Sequence, residues 1–381
     1  MTPSARAAAA IAALDRILPG EPAEKVLTGW GRAARYAGSG DRAAVRDIVY
    51  DCLRCKRSFA AVGGAMTGRG LVLGAARTAG LVAQWFDGAT HGPAPVGDEP
   101  GRAPQRLEAL DCPDWLAPRL EAALGADFAA TMQALRARAP VFLRVNAGKA
   151  TPDRAVAALA VEGIAAQPHP LARNALEVIG NARKIQNSTT YAEGLVELQD
   201  AASQAVAEAV PLRDGQRVLD LCAGGGGKTL ALAARARLVL LAHDANPRRM
   251  ADLPARAARA GAVVTLTDSP EKTAPYDVIL ADVPCSGSGS WRRDPDGKWA
   301  LTEARLAALC ALQAEILDRA AQLAAPGATI AYATCSLLRA ENEDQVAAFL
   351  LRHPGWHLTQ SRRFSPLQGG DGFGLALLQR D

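Results

Sequence analysis

The chain has 381 residues, of which 49% are apolar and 22% are charged, so it can bury substantial cores, and its length favours two or three domains. It contains no run of about 18 consecutive apolar residues, and its first residues lead into an alanine-rich, charged helical pattern rather than a signal-peptide core. Seven scattered cysteines argue against a disulfide framework. These features exclude a mainly disordered chain and predict a soluble, cytoplasmic protein with reduced thiols.

The net charge of +4 is unevenly distributed along the chain. Residues 1–70 carry eleven Lys or Arg against six Asp or Glu, whereas the other 311 residues carry 32 against 33. The N-terminal segment therefore holds the basic excess. Such asymmetry is typical of a polyanion-binding module, but an ordinary solvated face gives the same pattern, so charge alone leaves nucleic-acid binding open.

The first half of the chain predicts a helical domain followed by a small α/β module. Apolar residues recur at helical spacing from residue 4 to 82, which indicates an all-helical domain over 1–88. Residues 89–106 are rich in proline and glycine and predict a linker. In 107–198 we expect a helix over 111–127, then strands at 141–145 and 176–179 on either side of a helix at 152–163.

From residue 199 to 381 the pattern changes to strands that alternate with helices. The strands are predicted at 216–221, 238–243, 262–266, 277–282 and 328–333. This alternation predicts an α/β domain with a doubly wound, mostly parallel sheet. Because ligands bind beyond the carboxyl ends of the strands in such sheets, the residues that follow each strand are the candidates for chemistry.

A glycine-rich turn, Cys222 to Lys228, follows the first of these strands. Consecutive glycines allow a close approach of the backbone, and the amide groups of the following helix attract negative charge. The turn is compatible with a nucleotide, a dinucleotide or S-adenosylmethionine. The Gly227-Lys228-Thr229 sequence matches the end of an ATP-binding P-loop, but that pattern requires glycine where Cys222 stands, so a P-loop ATPase is the disfavoured alternative.

Acidic residues follow the next two strands. Asp244 stands where a carboxylate of this architecture accepts hydrogen bonds from a ribose. Asp268 stands after the third strand, where it can reach the edge of an adenine base. Each of them is equally compatible with a simple helix cap or turn residue.

Two thiols and a carboxylate follow the last two strands. Asp282 and Cys285 come after the fourth strand, and Cys335 comes after the fifth. Thiolate addition to carbon 6 of a pyrimidine makes carbon 5 nucleophilic enough to take a methyl group, and Asp282 can hold the N3/N4 edge of a cytosine. Since a thiol with a pKa of about 8.5 is only slightly ionised at neutral pH, we expect a polar, partly exposed site that lowers it.

Several motifs together resemble the RNA (cytosine-5)-methyltransferases of the Sun/Fmu (Nop2) family. The similarity covers roughly residues 110–381, and residues 5–75 more weakly resemble a NusB-like RNA-binding domain. The motifs are Leu219 to Thr229, Asp282 to Gly287, Arg292 to Pro295 with Lys298-Trp299, and Tyr332 to Ser336 with Glu341-Asn342-Glu343. Shorter similarities occur at 143–146, 199–204 and 369–373.

The resemblance implies a class I, Rossmann-like methyltransferase with Cys335 as the nucleophile and Cys285 as the thiol that assists product release. It implies an S-adenosylmethionine site made of Cys222, Ala223, Gly224, Gly225, Gly226, Gly227, Lys228, Asp244, Asp268 and Asp282. Two departures stand out: the loop is an unbroken run of glycines, and no glycine precedes Asp268.

We also expect RNA contacts from Arg292, Arg293 and Lys298, which lie among tryptophans, although those tryptophans could simply hold the loop. The implied reaction is the C5 methylation of a cytosine in small-subunit ribosomal RNA, with transfer RNA as the competing substrate. We expect a monomer without metal or membrane partner. A catalytically silent RNA-binding assembly factor is the remaining alternative.

Overall fold

The structure is a computed structural model that describes all residues 1–381. The chain divides into two compact units, Met1–Arg138 with Trp291–Leu301, and Ala139–Ser290 with Thr302–Asp381. The helices are α1 Pro3–Ile17, α2 Ala23–Ala33, α3 Ser39–Arg54, α4 Lys56–Gly63, α5 Gly68–Ala79, α6 Val82–Trp85, α7 Arg106–Ala109, α8 Ala117–Leu124, α9 Phe128–Leu135, α10 Pro152–Val161, α11 Thr189–Ala192, α12 Ala201–Ala209, α13 Gly227–Ala233, α14 Leu253–Ala260, α15 Pro295–Ala300, α16 Glu303–Leu323 and α17 Glu343–Arg352. The strands are β1 Val141–Val145, β2 Ala165–Pro168, β3 Ala175–Gly180, β4 Val196–Leu198, β5 Arg217–Asp220, β6 Val239–Ala242, β7 Thr265–Leu266, β8 Tyr276–Asp282, β9 Ala324–Thr334, β10 Trp356–Phe364 and β11 Phe373–Arg380.

The first unit is helical, as the spacing of its apolar residues predicts. Its core is formed by α1, α3 and α5, with fully buried side chains such as Leu14, Val49 and Leu71. The unit extends well past residue 88, because the buried carboxylate of Asp111 accepts hydrogen bonds from α4 and from Arg136. Helices α7 to α9 therefore belong to the helical unit of the structure, and the predicted domain bounds at 88 and 107 stay a prediction.

The second unit begins with a small four-stranded antiparallel sheet in the order β2-β3-β1-β4. Helix α10 packs on it through Leu159, which shares a core with Leu143, Leu176 and Val196. The predicted strands at 141–145 and 176–179 are both present. The edge strands β2 and β4 are too short to give a sequence signal of their own.

The rest of this unit is a seven-stranded sheet in the order β10-β11-β9-β8-β5-β6-β7. Strands β5 to β9 are mutually parallel, which confirms the predicted mostly parallel sheet, while β10 and β11 add an unpredicted antiparallel hairpin next to β9. Strands β6 and β7 lie on one side of β5, and β8 and β9 lie on the other, so the strand order switches between the neighbouring strands β5 and β8. A crevice at the carboxyl ends of these strands is the usual ligand site of such sheets.

No single helix of the chain is long and apolar enough to cross a membrane. Helices α4 and α5 together pass that test by length and composition, but they are bent by 87° at the break between them.

Candidate active site

The carboxyl ends of β5, β6, β8 and β9 surround two adjoining clefts in the second unit. The first cleft has a volume of about 580 Å³ and is lined by the glycine turn, Lys228, Asp282 and both thiols, Cys285 and Cys335. The second has a volume of about 410 Å³ and is lined by Asp244, His243 and apolar residues of α16. Cys222, Arg249 and Pro284 line both clefts, so the two are continuous along one sheet edge.

The two thiols predicted at this edge are in direct contact. The Sγ atoms of Cys285 and Cys335 lie 3.4 Å apart, and the Ser290 hydroxyl lies 4.0 Å from the Cys335 sulfur. The hydrogen bond from Cys285 lowers the pKa of the Cys335 thiol against the opposing effect of burial, and the Lys228 ammonium adds to the lowering. The same contact, together with burial, raises the pKa of Cys285 well above its ordinary value. The pair is therefore asymmetric, with Cys335 as the more acidic thiol.

Lys228 and Asp282 form an ion pair beside the thiols. The Lys228 Nζ lies 2.7 Å from Asp282 Oδ2 and 4.8 Å from the ring centroid of Phe373. Burial alone lowers the pKa of Lys228, but the charge and hydrogen bond of Asp282 outweigh it and raise the pKa overall. The lysine is thus held as a cation next to Cys335.

The glycine turn has two positions that require glycine. Gly224 and Gly226 adopt φ values of +51° and +80°, and a Cβ at Gly226 would lie 2.2 Å from a Leu253 methyl carbon. Gly225 and Gly227 have no positive φ. The Gly225 carbonyl accepts a hydrogen bond from Arg256, whose guanidinium is held by Glu197 at 2.8 Å, so a neighbouring side chain braces the all-glycine loop.

Asp244 lies at the end of β6, 4% exposed, and binds the glycine turn directly. Its Oδ2 accepts from the Gly224 N–H at 3.0 Å and pairs with Arg249 at 3.1 Å, while Oδ1 accepts from the Asn246 N–H. Asp268 behaves differently. It is exposed and lines neither cleft, because β7 is a two-residue edge strand that ends short of the site. The structure therefore does not bring Asp268 to the other predicted cofactor residues.

Asp220 is a site residue to which the sequence analysis assigned no role. It ends β5, is 1% exposed and lines the first cleft. Its Oδ2 accepts from the Thr229 hydroxyl at 2.6 Å, but its Oδ1 has no hydrogen-bond partner. Burial raises the pKa of this carboxyl to about 7. The signal that could have found it is a carboxylate at the end of an otherwise apolar strand, directly before the glycine turn.

The segment expected to contact RNA is largely buried in the helical unit. Lys298 is 1% exposed, donates from Nζ to the Arg54 carbonyl at 3.1 Å and lies 4.6 Å from the Trp299 ring. Burial lowers its pKa to about 8. Arg292 is 4% exposed, and its carbonyl accepts from Arg54. Lys298 and Arg292 are thus buried within the helical unit whereas Arg293 is exposed, and RNA contact by these residues stays a prediction.

Comparisons with known proteins match two regions of the chain, 112–186 and 207–377. The family model described as 16S rRNA methyltransferase RsmB/F matches residues 207–377, and the ferredoxin-like domain of RsmF/B-like methyltransferases matches residues 112–186. Ribosomal RNA small subunit methyltransferase B of Serratia proteamaculans is 33% identical over 282 residues, which is 70% of this chain and 66% of that protein. The chain thus spans just under two thirds of this relative's length.

Two solved structures share the fold. The crystal structure of PH0851 has a TM-score of 0.75 and 23% identity, and the match covers 100% of this chain and 99% of that one. NSun6 from Pyrococcus horikoshii, solved with SFG, has a TM-score of 0.62 and 18% identity over 70% of this chain and 98% of that one. The two matched family models and the curated relative lead to one conclusion: the chain belongs to the RsmB/F methyltransferase family.

Proposed function

We propose that this protein transfers a methyl group from S-adenosylmethionine to carbon 5 of a cytosine in small-subunit ribosomal RNA, through a covalent bond between Cys335 and carbon 6. The observation that carries the proposal is the pair of thiols in contact at 3.4 Å, placed beside the Lys228–Asp282 ion pair at the ligand edge of the sheet. The substrate class is that of the Serratia relative, a ribosomal RNA small subunit methyltransferase.

The residues present fit S-adenosylmethionine. The unpartnered Oδ1 of Asp220 is a buried acceptor suited to an ammonium group, and the side-chain-free glycine turn leaves room beside it. Asp244 supplies a carboxylate for ribose hydroxyls at the second cleft, whose wall from α16 includes the apolar Leu312 and Ile316. Bound S-adenosylmethionine supplies an electrophilic methyl group. The ion pair between Asp244 and Arg249 would have to open for Asp244 to bind a ribose.

The reaction begins with the Cys335 thiolate. Its sulfur bonds to carbon 6 of the cytosine, and the electron pair of the 5,6 double bond moves to carbon 5, which then takes the methyl group. Loss of the carbon 5 proton and cleavage of the S–C6 bond restore the double bond and release the enzyme. The Lys228 cation favours the attacking thiolate. Cys285 holds its own proton in the resting pair because its pKa is raised, so it loses that proton to solvent in the cleft before it accepts the one from carbon 5.

Asp282 has a free carboxylate oxygen for the substrate. Its Oδ2 binds Lys228, and about 30% of its side chain is exposed to the cleft. The other oxygen can accept from the N4 amino group of cytosine and from a protonated N3. A stacked, paired cytosine hides carbon 6, so the target base has to be single-stranded or flipped out of its helix.

We propose that the helical unit holds the RNA through an arginine-lined groove instead of through Lys298. The groove lies between α2 and α3, has a volume of about 650 Å³, and is lined by Arg32, Arg42, Arg46 and Trp30 without an acidic residue. Arg46 is paired with Glu24, which leaves the exposed Arg32 and Arg42 for phosphate contact. A tryptophan beside cations suits single-stranded RNA.

The test is methyl transfer from labelled S-adenosylmethionine to purified 16S ribosomal RNA and, in parallel, to transfer RNA. We expect label in ribosomal RNA from the wild-type protein and none from the Cys335→Ala variant. Bisulfite sequencing of RNA from a deletion strain then identifies the cytosine. Binding of ATP in place of S-adenosylmethionine in calorimetry, or the absence of transfer to any RNA, would contradict the proposal.

A further inference from the structure

A fully buried carboxylate lies behind the two thiols. Glu341 is 0% exposed and stands in the turn between β9 and α17. Its Oε1 accepts from the Ser286 N–H at 2.7 Å and from the Gln313 side-chain amide at 3.0 Å. Its Oε2 accepts from the hydroxyls of Ser286 and Ser336, both at 2.5 Å. Four hydrogen bonds satisfy this carboxylate within the protein, so it has no free position for a substrate.

The partners of Glu341 belong to both thiol-bearing loops. Ser286 directly follows Cys285, and Ser336 directly follows Cys335. Ser288 strengthens the link, because its hydroxyl lies 3.0 Å from that of Ser336 and accepts from the Leu337 N–H at 2.8 Å. Glu341 thus links Ser286 and Ser336, the residues that directly follow the two thiols, although the two loops come from different strands.

We propose that Glu341 is a positioning residue of the thiol pair: its buried carboxylate joins the loops that follow β8 and β9, holds the sulfurs of Cys285 and Cys335 in contact, and places a negative charge beside the Cys285 loop. The inference rests on the proposed function, since the distance between the thiols matters for catalysis only if they react. Hydrogen bonds to an ionised group are roughly twice as strong as neutral ones, which suits a carboxylate as the connecting group.

The charges around the thiols support the second part of the proposal. After the hydrogen bond to Cys335 and burial, the negative charge of Glu341 contributes to raising the pKa of Cys285. On the other side, Lys228 favours the thiolate of Cys335, and Asp282 opposes it. The buried Tyr332 donates its hydroxyl to the Glu341 carbonyl and stays neutral, because burial raises its pKa well above the ordinary value. Glu341 is thus the anion that distinguishes the Cys285 side.

Two substitutions separate the effect of the Glu341 charge from the effect of its side-chain length. Glu341→Gln keeps the size and allows all four contacts, because the serine hydroxyls can rotate to accept from the new amide, so it removes only the charge. Glu341→Asp keeps the charge but is one methylene shorter and cannot span both loops. Glu343→Gln is the matched control, since Glu343 lies two residues away and pairs with Arg363 outside the thiol cleft.

The direct measurement is alkylation of the full-length protein by iodoacetamide in the absence of RNA, with Cys335 and Cys285 quantified by mass spectrometry from pH 6 to pH 10. We expect the wild-type protein to react first at Cys335. In Glu341→Gln the ratio of Cys335 to Cys285 alkylation should fall, because the negative charge that helps to raise the pKa of Cys285 is gone. Glu343→Gln should keep the wild-type ratio. An unchanged ratio in Glu341→Gln overturns the proposal.

The need for the full length of the Glu341 side chain is tested by single-turnover methyl transfer. Glu341→Asp should keep the affinity for S-adenosylmethionine but lose at least about tenfold in rate, as expected from misplaced reacting groups. It should also lose part of the alkylation preference, because that preference depends on the contact between the two sulfurs. If Glu341→Gln does not fold, Ser336→Ala removes one of the four contacts without a charge change and should lower kcat with little change in KM for the cofactor. Wild-type kcat in both Glu341→Asp and Ser336→Ala contradicts the positioning role. A wild-type protein that methylates no RNA refutes the proposed function instead, while the alkylation result stands by itself.

Discussion

Replacement of Asp220 by asparagine should change how the stability of the protein depends on pH. Burial raises the pKa of this carboxyl from 3.8 to about 7 in the folded chain. The raised pKa contributes stability that is complete below pH 3.8, where both states are protonated, and that is lost as the pH rises to about 7. The loss is at most roughly 4 kcal/mol, at about 1.4 kcal/mol for each pKa unit. Asparagine is neutral throughout, so this loss should be absent from Asp220→Asn.

The assay is urea denaturation of the wild type and of Asp220→Asn between pH 4.5 and pH 8. The difference in unfolding free energy, variant minus wild type, should rise with pH until about pH 7 and then become constant, whatever constant offset the new amide introduces. Asp214→Asn is the control: Asp214 is exposed and its pKa is lowered by hydrogen bonds from Arg237, so its difference should be flat over this range. A flat difference for Asp220→Asn would refute the raised pKa.

Three further predictions concern the cofactor site and the RNA. Asp244→Asn should weaken S-adenosylmethionine binding by about 1.5 to 3 kcal/mol, the value of a hydrogen bond to a charged group, and unchanged affinity in calorimetry would remove Asp244 from the site. The double variant Arg32→Gln, Arg42→Gln should bind RNA more weakly and keep its affinity for the cofactor. The slope of the logarithm of the RNA-binding constant against the logarithm of the salt concentration should become shallower by just under one unit for each lost phosphate contact. A slope equal to that of the wild type would show that the groove has another role. Gly226→Ala should destabilise the protein, because residue 226 has a positive φ and the new Cβ would lie 2.2 Å from a Leu253 methyl carbon. Gly227→Ala, at the start of α13, should be neutral or should stabilise the protein by up to about 1 kcal/mol. Thermal unfolding of the two variants distinguishes them, and equal stability would contradict the turn geometry.

The helical unit illustrates why surface substitutions are the better test of RNA binding. Deletion of residues 1–88 removes the charged groove, but it also removes the Arg54 carbonyl that accepts from the buried Lys298. The Trp299 indole would lose its hydrogen bond to the Leu53 carbonyl as well. A buried ammonium without a partner is costly, so a deletion would combine loss of binding with loss of stability.

The sequence predicted correctly which residues lie together at the ends of the apolar strands inside the sheet. The strands β5 and β8 lie within one residue of their predicted bounds and β9 begins four residues earlier than predicted, and their carboxyl ends bring Lys228, Asp282, Cys285 and Cys335 together. Asp268 does not join them, because β7 is a two-residue, exposed edge strand with little packing to define its end, and its cofactor role stays a prediction. Side-chain burial is decided by tertiary contacts, which a local pattern does not contain.

Lys298 and Glu341 show this limit most clearly. Lys298 lies beside arginines and tryptophans, a pattern typical of an RNA-binding loop, yet its ammonium is buried against a backbone carbonyl. Glu341 stands between polar residues, yet four donors from three separate segments bury it behind the thiols. The partners of both side chains, except Ser336, are far away in sequence.

In the proposed reaction Cys335 attacks carbon 6 and Cys285 completes the release. Denaturing gel electrophoresis of the protein incubated with substrate RNA and S-adenosylmethionine tests it most directly. Cys335→Ala should form no covalent adduct, even with RNA that contains 5-fluorocytosine, and should transfer no methyl group. Cys285→Ala should attack and methylate but accumulate a covalent protein–RNA species from ordinary RNA. An adduct from Cys335→Ala but none from Cys285→Ala would reverse the roles, and normal turnover by both variants would contradict the thiol-addition mechanism.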